Sequence, residues 1–207
     1  EEVGVIWDKE QETQKNFKLK NIEKKYKNFS INKNLIEFIN WFSMYNITPK
    51  GLVLKMCIGD QKNITKLENI YENKYFLKKE FFSLNPLQKK SLKDLNNFGK
   101  YFKVSVLQGI TGSGKTLVYF DRIKNIIKKN KQALVLLPEI FLTNQFKHRF
   151  IEYFGFEPAI WHSRITPKNK RKIWQGIIKN EIKIIIGARS SLMLPFSNLG
   201  IIFVDEE

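Results

Sequence analysis

The segment "GITGSGKT", residues 109–116, places glycine, lysine and threonine at the spacing of a phosphate-binding loop. Glycines let successive backbone N–H groups turn toward phosphate oxygens. Lys115 would contact the terminal phosphates, and the Thr116 hydroxyl would bind Mg²⁺. The alternative is a tight turn that binds no nucleotide. The predicted binding residues of this segment are Gly109, Thr111, Gly112, Ser113, Gly114, Lys115 and Thr116.

A second group of reactive side chains, "DEE", follows the apolar run "IIFV" at residues 205–207. Asp205 would hold Mg²⁺ through its water shell, and Glu206 would orient or activate the attacking water. A solvated acidic turn is the alternative for such a run by itself. Together with the phosphate loop, the run favours nucleotide hydrolysis, with Lys115 and Glu206 as the catalytic residues.

The segments around these residues predict an α/β fold, a parallel sheet with flanking helices. Short β-rich runs alternate with helical patterns from about Lys103 onward. Thr166 followed by Pro167 is typical of a helix start. The predicted strands are "KVSVL", "QALVLLP", "PAIWHS", "KIIIG" and "GIIFVD", and the predicted helices include 115–129. Strands as apolar as "KIIIG" and "GIIFVD" are expected to be buried on both faces.

The first sixty residues predict a small α+β domain. "EVGVIW" and "FKLKNI" have the composition of strands, and the apolar spacing of residues 32–45 indicates a helix. "TPKG" is expected to break the chain after that helix. Residues 61–83 show no clear period and are predicted to be a linker with at most one helix.

Composition restricts the function classes. The formal net charge of +16 favours a polyanionic partner, either nucleic acid or an acidic membrane surface. The alternative is a solvated basic surface that results from Lys and Asn usage. A single cysteine excludes a disulfide framework and a cysteine-based metal site within these residues and fits a reducing, cytoplasmic location. Because the first residue is Glu rather than Met, we expect the chain to be a fragment.

The strings "GITGSGKT", "LPEIFLT", "WHS" and "IIIGARSSLMLPFSNLGIIFVDEE" resemble, in order and spacing, the primosomal replication-restart helicases. The resemblance implies that residues 84–207 are the first ATP-binding lobe of a superfamily 2 DExH motor, a P-loop (RecA-like) fold that stops at the DExH motif. "NWFSMYNITPKGLVLKMCIG" resembles the last part of the family's N-terminal domain, which binds the 3′ end of DNA, and assigns residues 1–60 to it. The family usually inserts a winged-helix domain where this chain has only residues 61–84.

The resemblance further implies the roles of single residues. Gln88 takes the place of a glutamine that reads adenine, with a surface glutamine in a helix beginning at Pro86 as the alternative. Thr143, Arg189 and Ser190 correspond to DNA-backbone contacts. The implied cofactors are ATP and Mg²⁺, with zinc expected only in a C-terminal part outside this chain. The implied partners are single-stranded and forked DNA and other primosome proteins, and no membrane.

The function implied by this resemblance is an ATP-dependent DNA helicase of the replication-restart type that moves 3′ to 5′. Because the second lobe and its arginine finger lie outside these residues, the fragment alone is expected to be inactive or very slow. Two alternatives stay open. One is a different DExH nucleic-acid translocase, and the other is a non-catalytic DNA-binding remnant of a truncated gene.

Overall fold

The computed structural model describes residues 4–7, 21–26, 29–68, 83–97, 102–110, 112–138 and 144–205. Helices and strands alternate in its second half. The helices are α1 Lys33–Tyr45, α2 Lys50–Ile58, α3 Lys62–Thr65, α4 Pro86–Asn96, α5 Lys115–Lys128, α6 Asn144–Phe154 and α7 Pro167–Ile178. The strands are β1 Gln132–Leu136, β2 Ala159–Trp161, β3 Ile184–Gly187 and β4 Leu199–Val204. No helix of these ranges is both long and apolar enough to cross a membrane.

The strands form one parallel sheet in the order β2-β3-β1-β4. Leu134 of β1 lies opposite Ile185 of β3 on one side and Ile202 of β4 on the other. Since parallel strands end at the same edge of a sheet, the residues that follow all four strands lie along one carboxyl edge. The predicted parallel sheet with covering helices is confirmed.

The central strands are buried on both faces by two different layers of helices. Ala133 and Val135 of β1 pack with Phe120 of α5 and Phe150 of α6. The alternate residues of β1, Leu134 and Leu136, belong to the cluster that contains Ile173, Trp174 and Ile177 of α7. Period-two alternation therefore divides one apolar strand between two cores.

The strand predicted at "KVSVL", residues 103–107, is not formed. Residues 102–110 have no strand assignment, and Phe102, Val104 and Val106 are 91%, 81% and 90% exposed. Within the described chain β4 is therefore an edge strand, and its Val204 is 63% exposed instead of buried. β-Branched residues favour an extended backbone, but a strand also needs a partner elsewhere in the chain, and five residues carry no information on that partner.

In the described part of the first sixty residues, the helices α1 and α2 are the only regular elements. Residues 4–7 do not form the strand predicted at "EVGVIW", and of "FKLKNI" only residues 21 and 22 are described. Helix α1 matches the prediction, and the Asn32 side chain caps it by accepting from the Leu35 N–H at 2.8 Å. Helix α2 was not predicted, because "TPKG" was interpreted only as a break. Pro49 instead stands at the N-cap of α2, where its fixed φ fits a helix start.

A small core joins α1 to α2 and contains the single cysteine. Leu35 and Ile39 of α1 pack with Val53 and Cys57 of α2. Burial raises the pKa of the Cys57 thiol to about 11. Cys57 is therefore a protonated, apolar core residue.

Helix α7 attaches this helical pair to the sheet. The Trp174 indole N–H donates to the Cys57 carbonyl at 2.8 Å, and the Gln175 amide donates to the carbonyls of Asn63 and Lys66 at 2.9 and 2.8 Å. Arg171 pairs with Glu68 at 2.9 Å, and that hydrogen bond lowers the pKa of the Glu68 carboxyl. Residues 61–68, the described part of the predicted linker, thus contain α3 and lie fixed against α7.

Candidate nucleotide-binding site

The loop before α5 has the backbone geometry that its glycines permit. Gly112 and Gly114 have φ angles of 82° and 81°, a left-handed conformation that side chains with a Cβ rarely adopt. Gly114 is the N-cap of α5, so the loop ends where the free N–H groups of a helix begin. Such a helix start attracts anions. Thr111 lies outside the described residues.

Side chains of neighbouring residues fill the space beside two glycines of this loop. A Cβ at Gly109 would lie 2.6 Å from the Ser113 hydroxyl oxygen, and a Cβ at Gly114 would lie 2.4 Å from the Gln88 side-chain nitrogen. A side chain at either position would therefore displace Ser113 or Gln88. Gln88 of α4 thus packs directly against the backbone of Gly114.

Gln88 connects α4 to the loop. Its Nε2 donates to the Ser113 carbonyl at 3.0 Å, and its Oε1 accepts from the Asn85 N–H at 3.0 Å. Asn85 in turn accepts from the Gln88 N–H, which completes a capping box at a helix that begins at Pro86. The predicted adenine-reading side chain thus adjoins the phosphate loop and fixes the helix start at the same time.

Lys115 lies over the loop that precedes it. Its Nζ donates to the Gly109 carbonyl at 2.7 Å. The ammonium group is therefore held at the helix start, the position in which a lysine neutralises bound phosphate. Thr116 is the next residue of α5, half-buried and on the same first turn.

Asp205 meets α5 across the edge of the sheet. Its N–H donates to the Leu136 carbonyl at 3.0 Å and so extends the pairing of β4 with β1. Its Oδ2 accepts from the Tyr119 hydroxyl of α5 at 3.1 Å. A direct hydrogen bond thus joins Asp205 to α5, the helix that begins at the end of the phosphate loop. Glu206 lies outside the described residues.

Tyr119 was missed by sequence reasoning. Burial, and then the charge of Asp205, raise the pKa of its phenol, while the nearby Thr116 hydroxyl acts in the opposite direction. The available signal was its position: Tyr119 follows Thr116 by three residues, which places both on one face of the helix. The phosphate-loop pattern ends at Thr116 and assigns no role to Tyr119.

The predicted DNA-contacting residues lie at the carboxyl edge as far as they are described. Arg189 and Ser190 begin a 3₁₀ turn, Arg189–Met193, directly after β3, and both are exposed. A Cβ at Gly187 would lie 2.7 Å from the Trp161 carbonyl, so glycine is required where β3 meets this turn. Since β3 and β4 flank β1, the turn and Asp205 occupy the same edge of the sheet. Thr143 lies outside the described residues.

The two histidines, His148 and His162, lie outside the phosphate loop. The Nδ1 of His162, after β2, accepts from the Arg164 N–H at 3.2 Å, a contact within its own loop. His148 is exposed on α6.

The donor atoms near the loop suit Mg²⁺. A threonine hydroxyl and a carboxylate are hard oxygen ligands, and Mg²⁺ usually takes one or two protein ligands together with phosphate and water. Within the described ranges no three His, Cys, Asp or Glu side chains gather as a metal cluster. Thr116 and Asp205 thus fit an ion that is held mainly by a bound nucleotide.

The sheet, the phosphate loop and the acidic strand end define a P-loop helicase-type lobe, and the comparisons agree. The family model described as "Type III restriction enzyme, res subunit" matches residues 81–207, and the chain belongs to this family. The model of the PriA 3′DNA-binding domain (3′BD) matches residues 1–59. The chain is a homologue of replication restart protein PriA.

Three relatives illustrate the extent of this similarity. The replication restart protein PriA of Rickettsia prowazekii is 39% identical over 208 residues, which cover 99% of this chain and 31% of that protein. The proteins of Bacillus subtilis and Haemophilus influenzae are 39% and 44% identical over 139 and 110 residues. These alignments cover 66% and 53% of this chain and 17% and 15% of those proteins. The chain spans about a third of the length of the Rickettsia relative.

The Rickettsia alignment also bears on the short connection between the two parts of the chain. The alignment is 208 positions long and includes 99% of the 207 residues of this chain. The aligned region of that relative therefore has no room for an inserted domain, and the absence of one at residues 61–84 is a feature that the two proteins share.

Proposed function

We propose that this chain forms the DNA-binding unit and the first ATP-binding lobe of an ATP-dependent DNA helicase of the replication-restart type. The observation that carries the proposal is the hydrogen bond between α5 and Asp205, which brings the phosphate loop and the acidic strand end into one site. The similarity to proteins named replication restart protein supports the cellular role. The proposed division is residues 1–60 for the DNA-binding unit, 61–83 for the connection and 84–207 for the lobe.

The residues of the site act at different atoms of ATP and its Mg²⁺. The N–H groups of residues 112–116 and the Lys115 ammonium bind phosphate oxygens, and Lys115 exchanges the Gly109 carbonyl for the γ-phosphate. Thr116 and Asp205 hold Mg²⁺, which supplies charge neutralisation at the transferred phosphate when bound. Glu206 orients the attacking water. Gln88 reads adenine from its position beside Ser113, using the remaining hydrogen-bonding capacity of its amide.

The nucleic-acid contacts are assigned to two surfaces. Thr143, Arg189 and Ser190 contact the phosphate backbone of single-stranded DNA at the carboxyl edge of the sheet, and residues 1–59 contact DNA through the unit matched by the 3′DNA-binding model. Movement is 3′ to 5′, forked DNA is the substrate, other primosome proteins are partners, and the location is cytoplasmic. A DNA-binding remnant without catalysis is the second candidate, favoured if the site binds no nucleotide.

The salt dependence of DNA binding tests the nucleic-acid half of the proposal. With a net charge of +16, the chain should bind single-stranded DNA, and the logarithm of its affinity should fall linearly with the logarithm of salt concentration. Arg189→Gln removes one phosphate contact and should make that slope shallower by about 0.7, the contribution of one neutralised phosphate in single strands. Fluorescence anisotropy with a labelled oligonucleotide at several salt concentrations measures both slopes.

The matched control is Lys179→Gln. Lys179 is equally exposed but lies at the end of α7, away from the carboxyl edge, so the slope should stay unchanged. Binding without salt dependence, or equal slopes for the two variants, would contradict the assignment of this edge to DNA.

A further inference from the structure

Tyr119 has a buried hydroxyl group that the phosphate-loop pattern does not explain. The residue is 4% exposed and lies on α5, three residues after Thr116. Its hydroxyl donates to Asp205 Oδ2 at 3.1 Å. A phenol O–H that donates to a carboxylate makes a charge-assisted hydrogen bond.

The ring of Tyr119 is fixed by the two elements that its hydroxyl connects. Its centroid lies 5.1 Å from that of Phe120, the next residue of α5, in an edge-to-face arrangement. It lies 5.2 Å from the ring of Phe203, two residues before Asp205 on β4. Phe203 of β4, the strand that leads to Asp205, therefore packs against the Tyr119 ring whose hydroxyl binds Asp205.

We propose that Tyr119 is a positioning residue for Asp205, whose bond to Oδ2 orients the carboxylate so that its other oxygen faces the Mg²⁺ of bound nucleotide. This inference rests on the proposed roles of Asp205 and Thr116. Asp205 directly follows β4, whose last residue, Val204, is 63% exposed. The Tyr119 hydroxyl therefore holds the Asp205 carboxylate at a strand end that is exposed to solvent.

The same bond makes the two predicted metal ligands dependent on one helix. Thr116 and Tyr119 belong to α5, and Tyr119 connects α5 to Asp205. A movement of the helix start would therefore displace the threonine hydroxyl and the aspartate together. A neutral phenol achieves this without placing a second charge beside the metal.

The test is the effect of Tyr119→Phe on the Mg²⁺ dependence of ADP binding. The affinity for a fluorescent ADP is measured with Mg²⁺ and with EDTA, and the ratio of the two affinities is the Mg²⁺ contribution. We expect Tyr119→Phe to reduce this ratio by roughly tenfold, about 1.4 kcal/mol. The affinity in EDTA should change by less than about twofold, because the loop itself is unaltered.

Tyr153→Phe is the matched control. Its hydroxyl donates to Asp121 Oδ1 at the same distance, 3.1 Å, and joins α6 to α5 outside the phosphate loop. This variant should keep the wild-type Mg²⁺ contribution.

Equal ratios for wild type and Tyr119→Phe would overturn the inference while the proposed function stands. Equal losses with Mg²⁺ and with EDTA would overturn it too, since they mark a purely structural role. A wild-type protein without a Mg²⁺ contribution would contradict the proposed metal ligands themselves.

A measurement on the unaltered protein covers the case in which Tyr119→Phe does not fold. With Mn²⁺ in place of Mg²⁺ and ADP bound, paramagnetic broadening of tyrosine ring resonances reports closeness to the metal. The Tyr119 ring should broaden much more strongly than the Tyr153 ring. A sharp Tyr119 resonance in the Mn²⁺ complex would overturn the inference.

Discussion

Replacing Phe120 with alanine should lower the free energy of unfolding by about 3–5 kcal/mol. Phe120 is fully buried on α5, and its ring contacts those of Phe146, Phe150, Tyr153 and Phe154 of α6 at centroid distances of 5.1 to 6.0 Å. Truncation leaves a cavity between α5, α6 and the sheet. Since the phosphate loop leads directly into α5, nucleotide affinity should fall as well. Urea unfolding followed by circular dichroism gives the free energy.

The matched control is Phe102→Ala, the same change at a side chain that is 91% exposed. Its effect should stay within about 0.5 kcal/mol, as for other surface substitutions. The comparison also tests whether residues 102–110 are packed in the folded protein. A large loss from Phe102→Ala would mean that this segment is packed in the folded protein, as the strand prediction at "KVSVL" required.

Replacing Lys115 with alanine should weaken ATP binding by roughly 10- to 150-fold. This range corresponds to the loss of a hydrogen bond to a charged group, about 1.5–3 kcal/mol. Lys115 is half-buried at the start of α5 and donates to the Gly109 carbonyl of the loop, and it belongs to neither apolar core, so the fold should survive. Calorimetric titration with ATP and Mg²⁺ gives the affinity, and circular dichroism checks the fold.

Lys128→Ala provides the comparison at the other end of the same helix. Lys128 is exposed in the last turn of α5, and its loss removes an equal charge without touching the loop. ATP affinity should then change by less than about twofold. If the two variants lost affinity equally, the effect would come from net charge, and Lys115 would have no place in the site.

Local chemistry made much of the lobe predictable. The β3 run is buried on both faces, as its continuous apolar composition indicated. Thr166 caps α7 by accepting from the Asn169 N–H at 3.3 Å, with Pro167 in the first helical position. In both cases the determining residues are neighbours in the sequence, so a short window contains the information.

Features that depend on distant partners were not predictable. Gln132 is fully buried, with its amide nitrogen donating to the Ile177 and Ile182 carbonyls and its oxygen accepting from the Asn198 N–H, all at 2.9 Å. Nothing around "KKNKQALVL" indicates that this polar residue ties β1 to the end of α7. The strand predicted at residues 103–107 is not formed for the same reason, because its pairing partner would have to come from a distant segment of the chain.

The site divides in the same way. The phosphate-loop pattern could be predicted because all its parts lie within eight residues, and two of its glycines, Gly112 and Gly114, have a left-handed backbone. The contact of Gln88 with Ser113 and that of Tyr119 with Asp205 join segments far apart in the sequence. The resemblance suggested only that Gln88 takes part in the site, and the contact of Tyr119 with Asp205 was not predicted.

The most direct test of the central claim, that residues 109–116 hold the phosphates of ATP, is a crystal structure of this chain with Mg²⁺ and a non-hydrolysable ATP analogue. The measured quantity is the position of Lys115 Nζ, which lies 2.7 Å from the Gly109 carbonyl in the present structure. We expect that Nζ leaves this carbonyl for the γ-phosphate and that the N–H groups of residues 112–116 contact the phosphates. A nucleotide bound elsewhere, or Lys115 still bonded to Gly109 beside a bound nucleotide, would contradict it.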